Sequence, residues 1–293
     1  MTPVDPKPAA SVVLIRGGPP GLSATPASIP SGGRPGLSAT PASSLEVYMI
    51  RRHRKMRFLG GHYAFPGGKV DTVDLASESR KRCQGLSAEA AERTFPGMGG
   101  VPALGYWVTA IRELFEEAGI LMAADEAGRP IDARDPDVAS RLERCRKALM
   151  AGERSLADLL AGERWFFDLR PFRSLCHFIT PVASPIRFSA RFFLSPLPDG
   201  QEPRLFHEET SEGFWIEPAE GYRRFRSGEM AMAEPGEYSL GYLAQFDSYE
   251  AVWSHHADGR HKFEGVTDRI DFYGPGYDWA SATWKFDKPL WHP

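Results

Sequence analysis

Apolar positions along the chain follow two periods, and the switches between them mark its elements. Val108, Ile111, Leu114, Phe115 and Ala118 recur at spacings of three, four and one, which predicts a helix with one buried face, and Gly119 behind them is placed as a left-handed stop. Ser11 to Arg16 (SVVLIR) is a short β-branched run and Leu45 to Arg52 (LEVYMIRR) alternates loosely, so two strands are predicted that can pair. Phe178 to Thr180, Ser189 to Leu197 and Phe214 to Pro218 read as further strands, the last stopped by its proline, and a helix begins over Ala219 to Ser227. A second helical stretch carries Val138, Leu142, Cys145 and Leu149, then Leu156, Leu159 and Leu160, behind an Asp135-Pro136 start signal.

Between these elements lie stretches of a different kind. Residues 17–44 are rich in Gly, Pro, Ser and Ala and contain GLSATPAS twice, at Gly21 to Ser28 and at Gly36 to Ser43. So few bulky side chains cannot offset the entropy of ordering, and a flexible loop interrupting a hairpin is predicted. Residues 72–102 are polar and helix-capable around Ala88 to Arg93, an excursion that leaves one structural unit and returns to it. Residues 244–293, with Phe246, Trp253, Trp279 and Trp291 among their aromatics, are too apolar for a disordered tail and are expected to pack on the domain.

Composition narrows the function classes. With 293 residues, 42% of them hydrophobic and 25% charged, the chain can bury one substantial core with elaborations. A net charge of -3 gives no basic field, so neither a nucleic-acid nor a membrane partner is expected, and a phosphorylated ligand must be met by local cations or metal. Cys83, Cys145 and Cys176 form no CxxC pair, the first residues lack a secretory pattern, and no run approaches a membrane span, so a soluble cytoplasmic protein is expected.

Chemistry concentrates in one place. Glu113, Glu116 and Glu117 fall on one edge of the predicted helix, where like charges at these spacings are destabilising until a hard divalent cation reverses the sign. The upstream turn Phe65-Pro66-Gly67-Gly68 offers backbone that can approach the same ion closely. Arg112 cannot ligate metal and is expected to hold a neighbouring carboxylate by a charge-assisted bond. Five cations (Arg51, Arg52, Arg54, Lys55, Arg57) surround His53 just before that turn, as a solvated strand end or as phosphate contacts; Arg52 and Arg57, with Gly67, are the substrate-binding candidates. His177 and Cys145 read as packed residues, and Asp71 and Asp74 either assist the metal or cap the turn.

FPGG followed by RELFEEAGI resembles the signature of the Nudix hydrolases: Gly, five residues, Glu, seven residues, then Arg-Glu-apolar-any-Glu-Glu-any-Gly-apolar. Arg112 to Ile120 matches every fixed position, and Gly68 as the leading glycine places Asp74 at the acid position. Residues 75–111 then separate the halves, about thirty more than the family's seven. A long insertion inside the box, a helical insertion after it and FITPVASPIRFSARFFLSPLP downstream look like the acyl-coenzyme A diphosphatase branch, although Ser189 and Ala190 stand where that branch usually has an acid and a threonine.

The resemblance implies an α/β (α+β) Nudix-type fold, an α/β/α sandwich of a mixed sheet between helices with helical insertions. It implies a Nudix domain over 1–243, containing the repeat loop at 17–44, the box insertion at 75–105 and the helical insertion at 121–165, with an aromatic extension at 244–293. By the same resemblance Glu113, Glu116 and Glu117 bind Mg²⁺ or Mn²⁺, Gly68 or Gly67 lends a carbonyl, and the acidic loop from His207 to Glu212 supplies a further ligand, Glu209 being favoured over Glu208 and Glu212. Glu113, Glu116 and Arg112 are the catalytic candidates, Glu113 being the family's favourite for activating water. The implied reaction splits a small-molecule diphosphate, coenzyme A or acyl-CoA, into two phosphate monoesters. The alternatives are another nucleoside diphosphate derivative such as NADH or ADP-ribose, or a Nudix module that binds a ligand without turnover. Oligomeric state is left open.

Overall fold

The computed structural model describes residues 4–18, 44–56, 59–94, 101–180, 184, 186–205 and 210–257, and the backbone of 277–278 and 283–284. The elements run β1 (Lys7–Gly17), β2 (Leu45–Arg52), β3 (Tyr63–Ala64), β4 (Gly67–Lys69), α1 (Ser77–Lys81), β5 (Cys83–Gln84), α2 (Ala88–Thr94), α3 (Leu104–Ala118), β6 (Ala123–Ala124), α4 (Pro136–Met150), α5 (Leu156–Glu163), β7 (Phe166–Asp168), β8 (Arg173–Ile179), β9 (Phe188–Pro196), β10 (Thr210–Ile216), α6 (Pro218–Arg226), α7 (Glu234–Leu243) and α8 (Tyr249–His255). A hairpin of two short strands, β11 (Tyr277–Asp278) and β12 (Thr283–Trp284), comes last.

The central sheet has the order β10-β2-β1-β9-β8, with β3 paired to β2 and β4 to β1. It is mixed: β1 runs parallel to β9 from Lys7↔Phe188 to Ile15↔Pro196 and antiparallel to β2 from Ile15↔Val47 to Gly17↔Leu45. The expected pairing of the first two strands is therefore present. β1 extends further toward the N-terminus than its apolar run, because residues 7–11 are held between β9 and β4. The repeat loop predicted at 17–44 falls mostly outside the described residues.

Alternation along the strands sorts side chains to two faces. Ala10, Val12, Leu14, Tyr48, Ile50 and Phe193 join one buried cluster with α3, while Val13, Ile15, Val47, Met49, Phe192 and Leu194 join the other with α6, α7 and α8. The sheet thus lies between helices, an α/β/α sandwich, and β1 is apolar at consecutive positions because it is covered on both sides. Each of its fully buried Val, Leu and Ile side chains contributes about 1.5–3 kcal/mol of transfer free energy. On the second face Val252 of α8 is fully buried and Arg173 lies 4.6 Å over the Trp253 ring, so α8 packs against this face; most of residues 258–293 lie outside the described residues.

Caps obey the local signals. Asp135 accepts from the Asp137 N–H, with Pro136 at the first helical position, and Ser155 likewise caps α5. Gly119 ends α3 at φ 72° with its N–H on the Phe115 carbonyl. At the other end, where Ala103 has no capping side chain, Glu92 of α2 accepts the Ala103 N–H at 2.8 Å.

The expectation of one buried face on α3 is corrected. Thirteen of its fifteen residues are buried, and Glu113 and Glu116 are the two that are not. The sheet covers one side, while α1, α2 and α4 from the excursions cover much of the rest. These excursions are themselves joined: β5 pairs in parallel with β7, and β6 pairs antiparallel with β7, in a separate three-stranded sheet. Among the described residues no helix is long and apolar enough to cross a membrane.

Candidate functional site

Arg112 is the hub of the site. Its guanidinium, 6% exposed, donates from Nε to Asp74 Oδ1 at 3.0 Å and from Nη2 to Asp74 Oδ2 at 2.9 Å. The same Nη2 donates to the Lys69 carbonyl at 2.9 Å, and Nη1 donates to Glu113 Oε1 at 2.8 Å and Glu116 Oε2 at 3.1 Å. The bidentate geometry suits a planar guanidinium and would be lost with lysine. Burial alone would lower the Arg112 pKa, but the bonds to Asp74 and the surrounding acids raise it.

Asp74, 2% exposed, also accepts from the Thr109 hydroxyl at 2.8 Å and the Asp71 N–H at 3.0 Å. The bond from the Asp71 N–H is the turn cap, one of the two roles left open for this residue, and the bonds to Thr109 and Arg112 add a third role, a buried clamp that joins the FPGG loop to α3. Thr109 is a site residue that the sequence reading passes over; the available signal is a hydroxyl three residues before Arg112, on the same side of the helix.

Glu113, Glu116 and Glu117 do not all converge. At 100° per residue Glu116 and Glu117 flank Glu113 on opposite sides, and they separate accordingly. Glu113 and Glu116 share Arg112 Nη1, whereas Glu117 is buried and accepts the Gly67 N–H at 2.7 Å. No group of three or more acids, histidines or cysteines among the described residues is gathered as a metal cage. Burial, opposed by Arg112 and assisted by repulsion from Glu116, raises the Glu113 pKa.

The two glycines of the turn are there for close approach, not for a left-handed backbone. A Cβ on Gly68 would collide with Glu113 Oε1, and one on Gly67 would lie 2.5 Å from the Ala10 carbonyl oxygen and 2.7 Å from Ser11 Cα. The donors offered beside Gly68 are hard oxygens on one helix edge, with the Glu116 side chain 25% exposed to solvent, and this set fits a divalent cation such as Mg²⁺ or Mn²⁺.

The other candidates divide. Arg52 alternates onto the same sheet face as Tyr48 and Ile50, and its Nε is buried without a hydrogen-bond partner. Arg57 and Glu209 lie outside the described residues, as does Glu208. Glu212, from the same acidic loop, is a β10 residue whose Oε1 pairs with Arg51 Nη1 at 2.9 Å, and Arg51 also lies 5.2 Å from the Tyr63 ring centroid. His177 is buried and packed as expected, with Nε2 2.8 Å from the Ser189 hydroxyl. A concavity of about 430 Å³ lined by Tyr63, Glu212, Phe214, Arg224, Glu229 and Met230 does not include the acid pair.

Comparison with known proteins places this geometry. The family model for the NUDT19 Nudix domain matches residues 7–243. The chain is 29% identical over 206 residues to a Caenorhabditis elegans protein called putative nudix hydrolase 7, covering 70% of this chain and 57% of that protein. It is 26% identical over 274 residues to the Gallus gallus acyl-coenzyme A diphosphatase NUDT19, covering 82% of this chain and 68% of the relative. The crystal structure of a Nudix hydrolase from Alicyclobacillus acidocaldarius superposes with a TM-score of 0.61 at 31% identity, covering 85% of this chain and 96% of that one. The chain thus spans little more than half the length of the C. elegans relative.

Proposed function

Because the chain belongs to the NUDT19 branch of the Nudix hydrolase family, we propose that it is a divalent-metal-dependent diphosphatase acting on coenzyme A or an acyl-CoA and releasing two phosphate monoesters. The observation that carries this reading is the clamp itself. Asp74 and Arg112 bring the Gly67-Gly68 backbone against α3 and hold Glu113 and Glu116 at its two least buried positions. The choice of coenzyme A rests on relatives named acyl-coenzyme A diphosphatase at 22–27% identity.

Glu113 and Glu116 are the proposed holders of Mg²⁺ or Mn²⁺, with the Gly68 carbonyl beside them, Glu209 as the ligand from the acidic loop, and Glu117 holding the turn through the Gly67 N–H. A bound divalent ion supplies charge neutralisation of the diphosphate and a lowered pKa for the attacking water. The chain's own part is orientation and proton handling. Arg112 fixes the directions of the Glu113 and Glu116 carboxylates, so they need no reorganisation when substrate binds. Glu113, held beside Glu116 by Arg112, is the proposed acceptor of the proton from water. Arg52, at the end of β2 with an unpartnered Nε, and Arg57 are the proposed phosphate contacts, and Gly67 lends its backbone to the site wall.

Phosphomonoester release from CoA, acetyl-CoA, NADH and ADP-ribose in Mg²⁺ and in Mn²⁺, with Glu116→Gln as control, tests this reading. Turnover greatest with a CoA substrate and lost in the control is the expected result. Turnover confined to NADH or ADP-ribose would replace the substrate; binding without turnover of any diphosphate would overturn the enzyme.

A further inference from the structure

Arg146 stands on α4, in the excursion that comes after the acid helix, and belongs to none of the contacts described above. Its side chain is 4% exposed and reaches two backbone carbonyls, donating from Nη1 to Arg204 O at 2.7 Å and from Nη2 to Glu116 O at 2.8 Å. Glu116 lies in the last turn of α3, where a helix leaves carbonyls without intrahelical partners and where its dipole favours a cation. The guanidinium therefore occupies the one end of the helix that a positive charge stabilises.

The path it takes is narrow. A Cβ on Gly119 would lie 2.5 Å from Arg146 Nη1, so the residue that lets the backbone turn left-handed at φ 72° also leaves room for the guanidinium. A cavity of about 90 Å³, lined by Phe115, Gly119, Leu142, Arg146 and Gln201 among others, opens beside the guanidinium. Leu142 and Cys145 of α4 pack with Phe115 in the core, and the Arg146 hydrogen bonds add a polar tie to the end of α3. Burying a guanidinium is costly, and an aliphatic side chain would fill the same space without that cost. The arginine is explained by what it holds.

We infer that Arg146 is a positioning residue for Glu116: by fixing the last turn of α3 it holds the backbone from which Arg112 directs the Glu116 carboxylate, and it couples the inserted helix to the acid pair. The inference rests on the hydrolase reading of that pair. A displacement of about 1 Å in a reacting constellation costs on the order of 100-fold in rate, so a brace at this carbonyl is felt in turnover.

Arg146→Met and Arg146→Lys are compared with the wild type by three measurements: CoA turnover as a function of Mn²⁺, Mn²⁺ binding without substrate followed by the electron paramagnetic resonance of the free ion, and amide hydrogen exchange. For Arg146→Met we expect a kcat lower by about 10- to 100-fold, weaker Mn²⁺ binding, a nearly unchanged KM for CoA, and faster exchange over residues 116–120 while β1 exchanges as in the wild type. Arg146→Lys, which keeps a single-headed donor, recovers part of each. Wild-type Mn²⁺ binding and wild-type exchange at 116–120 in Arg146→Met, in an active parent, would overturn the inference alone, as would an equal rise of exchange in β1. A wild type that neither binds Mn²⁺ nor turns over any diphosphate would overturn the hydrolase reading, and this inference with it.

Discussion

Asp74 and Arg112, thirty-eight positions apart, meet in three hydrogen bonds of 2.9, 3.0 and 3.2 Å, both residues buried. This contact closes a motif that the sequence leaves open. Removing one member of a buried, hydrogen-bonded pair leaves the other uncompensated and costs about 3–5 kcal/mol. Asp74→Ala is expected to lose that much in urea denaturation at pH 7 and to lose activity with it. Arg112→Lys, which cannot span Asp74, Glu113 and Glu116 together, is expected to retain more stability than activity.

Gly67 and Gly68 separate stability from chemistry. The Cβ of Gly67→Ala meets backbone of β1, which cannot step aside, and a loss of about 1–3 kcal/mol is expected. In Gly68→Ala the Cβ meets the Glu113 carboxylate, which can swing away. That variant is expected to keep its denaturation midpoint and lose turnover. Equal stability losses in both would contradict the assignment of Glu113 to the site.

If Glu113 and Glu116 hold the ion, metal binding and folding are linked. Mn²⁺ at about 100 times its dissociation constant should stabilise the wild type by about 2.7 kcal/mol. Glu113→Gln and Glu116→Gln should lose that stabilisation. Chelation should abolish activity in the wild type and addition of Mn²⁺ should restore it. Thermal unfolding with and without metal reads the effect directly.

Glu237, on α7, gives the fold a pH dependence unrelated to the site. It is 1% exposed with both oxygens lacking hydrogen-bond partners, and burial raises its pKa to about 7, opposed by Arg226 at 4.0 Å; Tyr222 on α6 is its other ionisable neighbour. The native state keeps this proton up to about pH 7, while the unfolded chain releases it near 4.5, so the native state binds more protons in that window and stability falls as pH rises through it. Glu237→Gln removes this residue's part of the slope. It should match the wild type near pH 4 and exceed it at pH 8 by on the order of 3 kcal/mol, as measured by denaturation at the two pH values.

The hairpin register brings Gly17 opposite Leu45, and the Gly18 N–H bonds to the Ser44 carbonyl. The ends of the repeat tract are thus already adjacent, and loop length affects closure only weakly. Replacing 19–43 with a short turn is expected to leave CoA turnover and the denaturation midpoint close to those of the intact chain.

Much of this is legible in residue order. The Leu45 to Arg52 strand, the Gly119 stop and the Asp135-Pro136 start come from local rules, because each is decided by its own backbone or by its nearest neighbours. Local rules do not reach contacts made at a distance. The near-complete burial of α3 is produced by helices from both excursions, and the parallel pairing that lengthens β1 comes from a strand near residue 190. Glu117 shares the acidic run of its neighbours, but its bond to the Gly67 N–H depends on how the turn is seated. In residue order Arg146 is one cation on a helix of mixed charge; only the fold turns it toward the end of α3.

The two less-buried positions of α3 have a consequence for how such a chain can change. Thirteen neighbours in that helix are locked into surrounding structure, so substitutions there disturb the scaffold before they touch reactivity. Glu113 and Glu116 alone can exchange their carboxylates for amides with little repacking. A descendant could therefore give up chemistry while keeping its shape, passing from catalyst to receptor by two single-base changes on an otherwise unaltered frame.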